Sequence, residues 1–378
     1  MNQFLKNAVP GVQKITPYQP GKPVEELERE LGISNAIKLA SNENPLGPSL
    51  RAVEAARAVA GDINYYPDGG GHKLTHALAK KHNLNPLCIT LGNGSNDILE
   101  LIGRAFLSPA HSAVYSEYSF AVYPLVVQST GAEARIAKAF PSDHPQMPYG
   151  HDLDAIYKQI KTSTRVVFIA NPNNPTGTWM DLNALGQFLS KVANNVLVVL
   201  DEAYFEYMPD DLKPDTARLL AENKNLVITR TFSKIYGLAG LRIGYSMSHP
   251  DIADILNRVR QPFNTNMLAQ AAALAAIDDA SHIENSVKVN SSGLKQYAKA
   301  FQGMGLTYIP SIANFIAVNL NKTAMPVYQL LLNEGVIVRP VASYDMPDYL
   351  RITVGTEEQN NRVLKSLDKV LFGALAND

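Results

Sequence analysis

The chain has 378 residues, 46% of them apolar and 18% charged, with a formal net charge of −1. That length predicts one large domain with a smaller companion and a sizeable core, and the balanced charge excludes the basic stripe that marks nucleic-acid binding. The single cysteine, Cys88, cannot form an internal disulfide, no Cys/His spacing suits a metal, and no run reaches about 18 apolar residues, so a cytoplasmic protein with neither metal nor membrane span is expected.

Residues 1–50 are rich in Pro, Gly, Asn and Ser, which predicts an extended arm broken by turns, with one short helix over Val24 to Leu31. Beyond residue 51, helical patterns at Leu74 to His82 and Asp97 to Phe106 alternate with the β-branched runs AVYSE, RVVFIA, NVLVVLDEAY and NLVITRTFSK. That alternation predicts an α/β domain over 51–258, with a mostly parallel central sheet flanked by helices. VVFIA and VLVVL are apolar on both faces, as central covered strands are.

After a helix at Pro250 to Arg260, the pattern changes to the alanine-rich MLAQAAALAAI, a long polar helix around His282 to Phe301, and short strands at NFIAVNL, GVIVRP and YLRITVG. These predict a smaller α+β domain over 259–378, completed by the N-terminal arm.

In open α/β sheets ligands gather at the carboxyl ends of the strands, so the residues after each apolar run are the ones to read chemically. RVVFIA leads to Asn171 in NPNNPTG, NVLVVL to Asp201 and Tyr204 in DEAY, and NLVITRTF to Ser233 and Lys234. LGNGSNDILELI places Gly92, Gly94 and Ser95 before a helix expected to begin near Asn96. A Gly/Ser turn opening a helix is either an ordinary cap, with Ser95 or Asn96 as N-cap, or an anion site made of unpaired N–H groups.

Asp201 can serve as a helix cap, a metal ligand or the partner of a buried cation; only Glu202 stands beside it, which disfavours a metal. NPNNPTG by itself is also plain turn chemistry. Lys234 sits among Ile235, Gly237, Leu238, Ala239 and Gly240, which solvate it poorly. A desolvated lysine is a nucleophilic amine, whereas the ordinary fate of lysine is the solvated surface. Arg242 beside two glycines suits either a phosphate or a surface ion pair.

Together these motifs resemble the pyridoxal-phosphate enzymes of the aspartate-aminotransferase fold over nearly the whole chain. More narrowly, the sequence is similar to the histidinol-phosphate aminotransferases: TPYQPG, KLASNENPLGPS, YYPDGGGHKL, GNGSND, ANPNNPTG, DEAY and RTFSKIYGLAGLRIGY occur in the family's order. The resemblance implies pyridoxal 5'-phosphate as cofactor, with Lys234 as its covalent attachment and proton shuttle and Asp201 as partner of the ring nitrogen.

It further implies that Asn171 and Tyr204 bond the phenolic oxygen, and that Tyr118 stacks on the ring. Gly94, Ser95, Asn96, Ser233 and Arg242 would hold the phosphate, and Tyr66 would reach it from the second subunit of a homodimer. Arg351 is implied to bind the substrate carboxylate, with Arg339 and Tyr18 on the substrate phosphate and Asn42 nearby on the substrate side.

Asn96 and Asp97 depart from a common acidic pair, and Ile235 from an aromatic or small residue. Neither change removes a catalytic group. The implied reaction converts histidinol phosphate and 2-oxoglutarate to imidazole-acetol phosphate and glutamate. An aromatic amino-acid aminotransferase and a phosphothreonine decarboxylase use the same lysine and aspartate. A cofactor-sensing binding module is disfavoured by the absence of any added basic or DNA-binding segment.

Overall fold

The computed structural model describes residues 3–17 and 21–373. The arm contributes β1 (Ile37–Lys38), after which the large domain supplies β2 (Ile89–Gly92), β3 (Ser112–Ser116), β4 (Glu133–Ala137), β5 (Thr164–Ala170), β6 (Leu197–Asp201), β7 (Leu226–Thr231) and β8 (Gly244–Ser248). The C-terminal part adds β9 (Tyr308–Ile309), β10 (Phe315–Asn319), β11 (Val336–Ile337), β12 (Arg339–Pro340) and β13 (Tyr349–Thr353).

The large sheet runs in the order β2-β8-β7-β6-β5-β3-β4, and only β8 is antiparallel to its neighbours. Side-chain alternation divides β5 between two cores. Val167 and Ile169 join Leu189, Leu200 and Ile228 on one face, while Val166 and Phe168 meet Ile98, Leu101 and Val199 on the other. Helices cover both faces, so β6 and β7 are buried along their whole length, β6 as the apolar run LVVL before Asp201 and β7 as LVI followed by the buried Thr229, Arg230 and Thr231. The edge strand β4 is largely exposed.

The smaller sheet, β12-β13-β10-β9, is antiparallel, and beside it β1 pairs parallel with β11. The arm is thereby tied to the C-terminal part of the chain. One difference concerns the alanine-rich helix Met267–Ala276: Ala269, Ala272, Ala273 and Ala276 pack in the large-sheet core with Ala52. Ala52 lies on helix Leu50–Val59, and small side chains on both helices allow the close approach.

Helix Ala280–Gly303 spans about 36 Å at 1.5 Å per residue. Its early residues Ile283 and Val287 touch the large core, and Tyr297 and Phe301 enter the small one. It is the rod on which the two domains meet.

Candidate active site

The ends of β5, β6 and β7 open on a cavity of about 200 Å³. Asp201, the last residue of β6, lies at its floor and is almost wholly buried. Its Oδ2 accepts from the Tyr123 hydroxyl at 2.9 Å and its Oδ1 from the Thr229 hydroxyl at 3.0 Å. Burial pushes the Asp201 carboxyl up, against the opposing pull of these hydroxyls and the Ala203 N–H. A carboxylate held by neutral donors in a dry floor is matched to a cation approaching from the cavity.

Lys234 stands three residues beyond β7, on the cavity wall, with Nζ donating to the Ser41 carbonyl at 3.1 Å and lying 5.7 Å from the Tyr204 ring centre. Burial, then the charges of Arg351 and Arg242, push its amine down to about 8, with Glu43 and Asp201 pulling the other way. An appreciable share of neutral, nucleophilic amine is therefore present near neutrality. Burial likewise pushes the Tyr204 hydroxyl up to about 12, so it remains protonated, and it accepts from Asn42 Nδ2 at 2.8 Å.

The far end of the cavity is built for an anion. Helix Ser95–Phe106 begins here, and Ser95 and Asn96 line the wall. The N-cap is Gly94, with a φ of 85° and no side-chain cap, rather than Ser95 or Asn96, so the helix starts one residue earlier than expected and its first N–H groups stay open. A Cβ on Gly94 would lie 2.4 Å from Arg242 Nη2; glycine lets the guanidinium come against the helix start. Arg242 Nη1 donates to Ser233 Oγ at 3.3 Å, and Thr231 completes the wall.

The structure corrects two of the expected residues. Asn171 is fully buried but turns away, its Oδ1 accepting from the Met180 N–H at 3.1 Å; the asparagine on the cavity wall is Asn174. Asn171 continues β5, with its N–H on the Asp201 carbonyl at 2.9 Å, which directs the side chain out of the site. Tyr118, with a φ of 51°, packs its ring edge-on to Tyr149 at 4.9 Å, and the aromatic lining the cavity is Phe120. The left-handed turn at Tyr118 moves the wall position two residues along.

On the substrate side, Arg351 is buried; its Nη1 donates to Asn174 Oδ1 and its Nη2 to the Ala40 carbonyl at 2.7 Å. Asn42 stands behind Tyr204, between it and Thr353, and braces the site rather than lining it. Arg339 lines a separate, larger cavity of about 980 Å³ together with Lys14 and Lys22 of the arm. Tyr18 lies outside the described residues. Tyr66 is 80% exposed, stacked on Phe263 at 4.6 Å and away from this chain's own cavity.

Asn174, Phe120 and Thr231 were not read from the sequence. The second Asn-Pro step in NPNNPTG was the available signal for Asn174; alternation alone marks Thr231 as an inward or outward strand end without choosing.

A lysine amine, a buried carboxylate and an anion cradle around one cavity match the aminotransferase class I and II family, whose model covers residues 34–367. The chain belongs to this family. It is 55% identical to histidinol-phosphate aminotransferase 2 of Pseudomonas aeruginosa, over 98% of this chain and 99% of that protein. It is 52% identical to histidinol-phosphate aminotransferase 1 of Nitrosococcus oceani, over 97% of this chain and 98% of that one.

Among solved structures, histidinol-phosphate aminotransferase from Sinorhizobium meliloti, in complex with pyridoxal-5'-phosphate, superposes with a TM-score of 0.87 at 28% identity, covering 97% of this chain and 98% of its own. A Thermus thermophilus aspartate aminotransferase double mutant, at 20% identity and a TM-score of 0.81, shares the fold.

Proposed function

We propose that this chain is a pyridoxal-phosphate-dependent transaminase, acting as a cytoplasmic homodimer, that moves the amino group of L-histidinol phosphate to 2-oxoglutarate, giving imidazole-acetol phosphate and L-glutamate. The observation that carries the reading is the placement of Lys234, Asp201 and the Gly94–Arg242 cradle on three sides of one cavity. The names of relatives at 52% and 55% identity over nearly full length support the substrate.

The residues fit the cofactor. The buried Asp201 carboxylate suits a protonated ring nitrogen, the open helix start with Ser233, Thr231 and Arg242 suits a phosphate, and the Lys234 amine suits an aldehyde. When bound, pyridoxal phosphate supplies an aldehyde that condenses with amines and a ring that draws electrons from the substrate carbon.

Lys234 Nζ would hold the cofactor and would serve as the base that takes and returns the proton at the substrate carbon. Asp201 would hold a proton at the ring nitrogen. Tyr204 and Asn174 would offer hydrogen bonds to the phenolic oxygen, and Phe120 would supply an apolar wall. Arg351, held by Asn174 and Ala40, receives a carboxylate such as that of glutamate in bidentate fashion. Arg339, in the neighbouring cavity that it shares with Lys14, Lys22 and Glu26 of the arm, would receive the phosphate of a substrate long enough to reach from one cavity to the other.

The homodimer reading comes from the family resemblance, and exposed apolar side chains support it: Leu50, Ile63, Tyr65 and Tyr66 are each more than two-thirds exposed, and an apolar hollow is lined by Ala56, Leu241 and Leu268. Tyr66 would reach the neighbouring subunit's cofactor phosphate.

The test is kcat/KM with 2-oxoglutarate for histidinol phosphate against phenylalanine and tyrosine. Preference for histidinol phosphate is expected. Preference for the aromatic amino acids would overturn the substrate assignment while leaving the transaminase reading intact.

A further inference from the structure

Behind the cavity floor lies a buried hydroxyl pair. Tyr123, on helix Val122–Ser129, is fully buried; its ring lies flat on Phe168 of β5, with centres 5.0 Å apart and planes 11° apart, and meets Phe120 edge-on at 5.8 Å. Its hydroxyl donates to Asp201 Oδ2. Thr229, also fully buried, is the cross-strand partner of Asp201 on β7 and donates to Oδ1.

Each carboxylate oxygen therefore receives one hydroxyl, besides the Ala203 N–H, and the two hydroxyl bonds fix the plane of the carboxylate. Both donors are neutral. They stabilise the anion without cancelling its charge, as a lysine or arginine in their place would do. Burial pushes the Tyr123 hydroxyl well above its ordinary range, so it stays a donor throughout the working range. The same ring props Phe120, one wall of the cavity.

The geometry points to Tyr123 and Thr229 as positioning residues for transamination: together they hold Asp201 ionised and aim it at the ring nitrogen of pyridoxal phosphate. This rests on the reading of the cavity as a pyridoxal-phosphate site. Removing either hydroxyl makes the carboxylate more basic and draws the shared proton from the ring nitrogen toward Asp201.

The holoenzyme, reconstituted with pyridoxal phosphate labelled with ¹⁵N in the ring, tests this by NMR in the wild type, Tyr123→Phe, Thr229→Val and Thr229→Ser. The wild type is expected to give a pyridinium resonance. Tyr123→Phe and Thr229→Val shift it toward neutral pyridine and lower kcat about tenfold with KM within about twofold, as loss of one hydrogen bond to a charged group implies. Thr229→Ser restores both.

Tyr123→Phe keeps the ring and its stacking; should it fail to fold, the Val and Ser variants of Thr229 decide alone. A nitrogen resonance that stays at the pyridinium position in the folded variants, with or without a fall in kcat, overturns the inference alone. A wild type that does not bind pyridoxal phosphate overturns the cavity reading and the inference with it.

Discussion

The two ends of the active site are assembled in different ways. At the cofactor end, Asp201 closes β6, and Ser233 and Lys234 follow β7 directly, so the register of one continuous sheet sets their spacing. At the substrate end, Arg351 reaches the Ala40 carbonyl and Thr353 meets Asn42, each across 311 residues of chain, at a seam between arm and small domain. The cofactor end is rigid because it belongs to the core; the substrate end depends on how two separate segments dock. Substitutions at the first should strike both halves of the reaction, and those at the second should discriminate between substrates.

Lys234→Ala is the largest test. Turnover with either amino donor should fall by at least about 10³-fold, and the visible absorbance of the covalent lysine–cofactor linkage should vanish, since both the attachment and the proton shuttle are lost. Next is the ion pair behind the floor, where Arg230 Nε and Nη2 donate to Glu202 Oε2 at 2.9 and 2.7 Å, both side chains buried. Glu202→Ala removes the carboxylate that the buried guanidinium bonds directly and should cost about 3 kcal/mol in denaturant unfolding. A loss within error of zero would mean that this floor is less rigid than the comparison requires.

Arg339→Ala should raise KM for histidinol phosphate at least about tenfold while leaving the glutamate half-reaction within about twofold, because glutamate carries no phosphate for this arginine to hold. An equal loss with both substrates would erase the distinction between the two ends. Tyr66→Phe is the mildest change: cofactor affinity should drop about tenfold in a protein that sediments as a dimer, the lower end of the worth of one hydrogen bond to a charged group. A fully active monomer would contradict the shared site.

Acidity provides a further probe of the cofactor end. Only the unprotonated Lys234 amine attacks an aldehyde, and its protonation is held at about 8. Stopped-flow capture of pyridoxal phosphate by the apoenzyme should therefore accelerate with rising pH up to about 8 and then level off. An acceleration continuing past pH 10 would mean that the amine is solvated.

The cofactor end was also the more legible of the two in the sequence. Asp201 follows a long apolar run, and a strand buried on both faces delivers its next polar residue to the sheet edge; Lys234 stands just past the neighbouring strand, among small and apolar residues. Turns were less legible. NPNNPTG offers three asparagines, and composition does not say that Asn171 extends β5 while Asn174 faces the cavity. Likewise the left-handed backbone at Tyr118, which hands the wall to Phe120, carries no glycine to announce it.

Strands β2 and β8 are short, with Gly92 and Gly244 at their ends, and owe their conformation to neighbouring strands more than to local preference. The alanine-rich helix reads as generic helix, and only tertiary contact with Ala52 assigns it to the large core.

The central claim is that Lys234 carries the cofactor. Reduction of the holoenzyme with borohydride, followed by peptide mapping by mass spectrometry, measures this directly. A pyridoxyl phosphate group on the peptide containing Lys234, and on no other lysine, is the result expected; modification of a different lysine, or of none, would contradict the account.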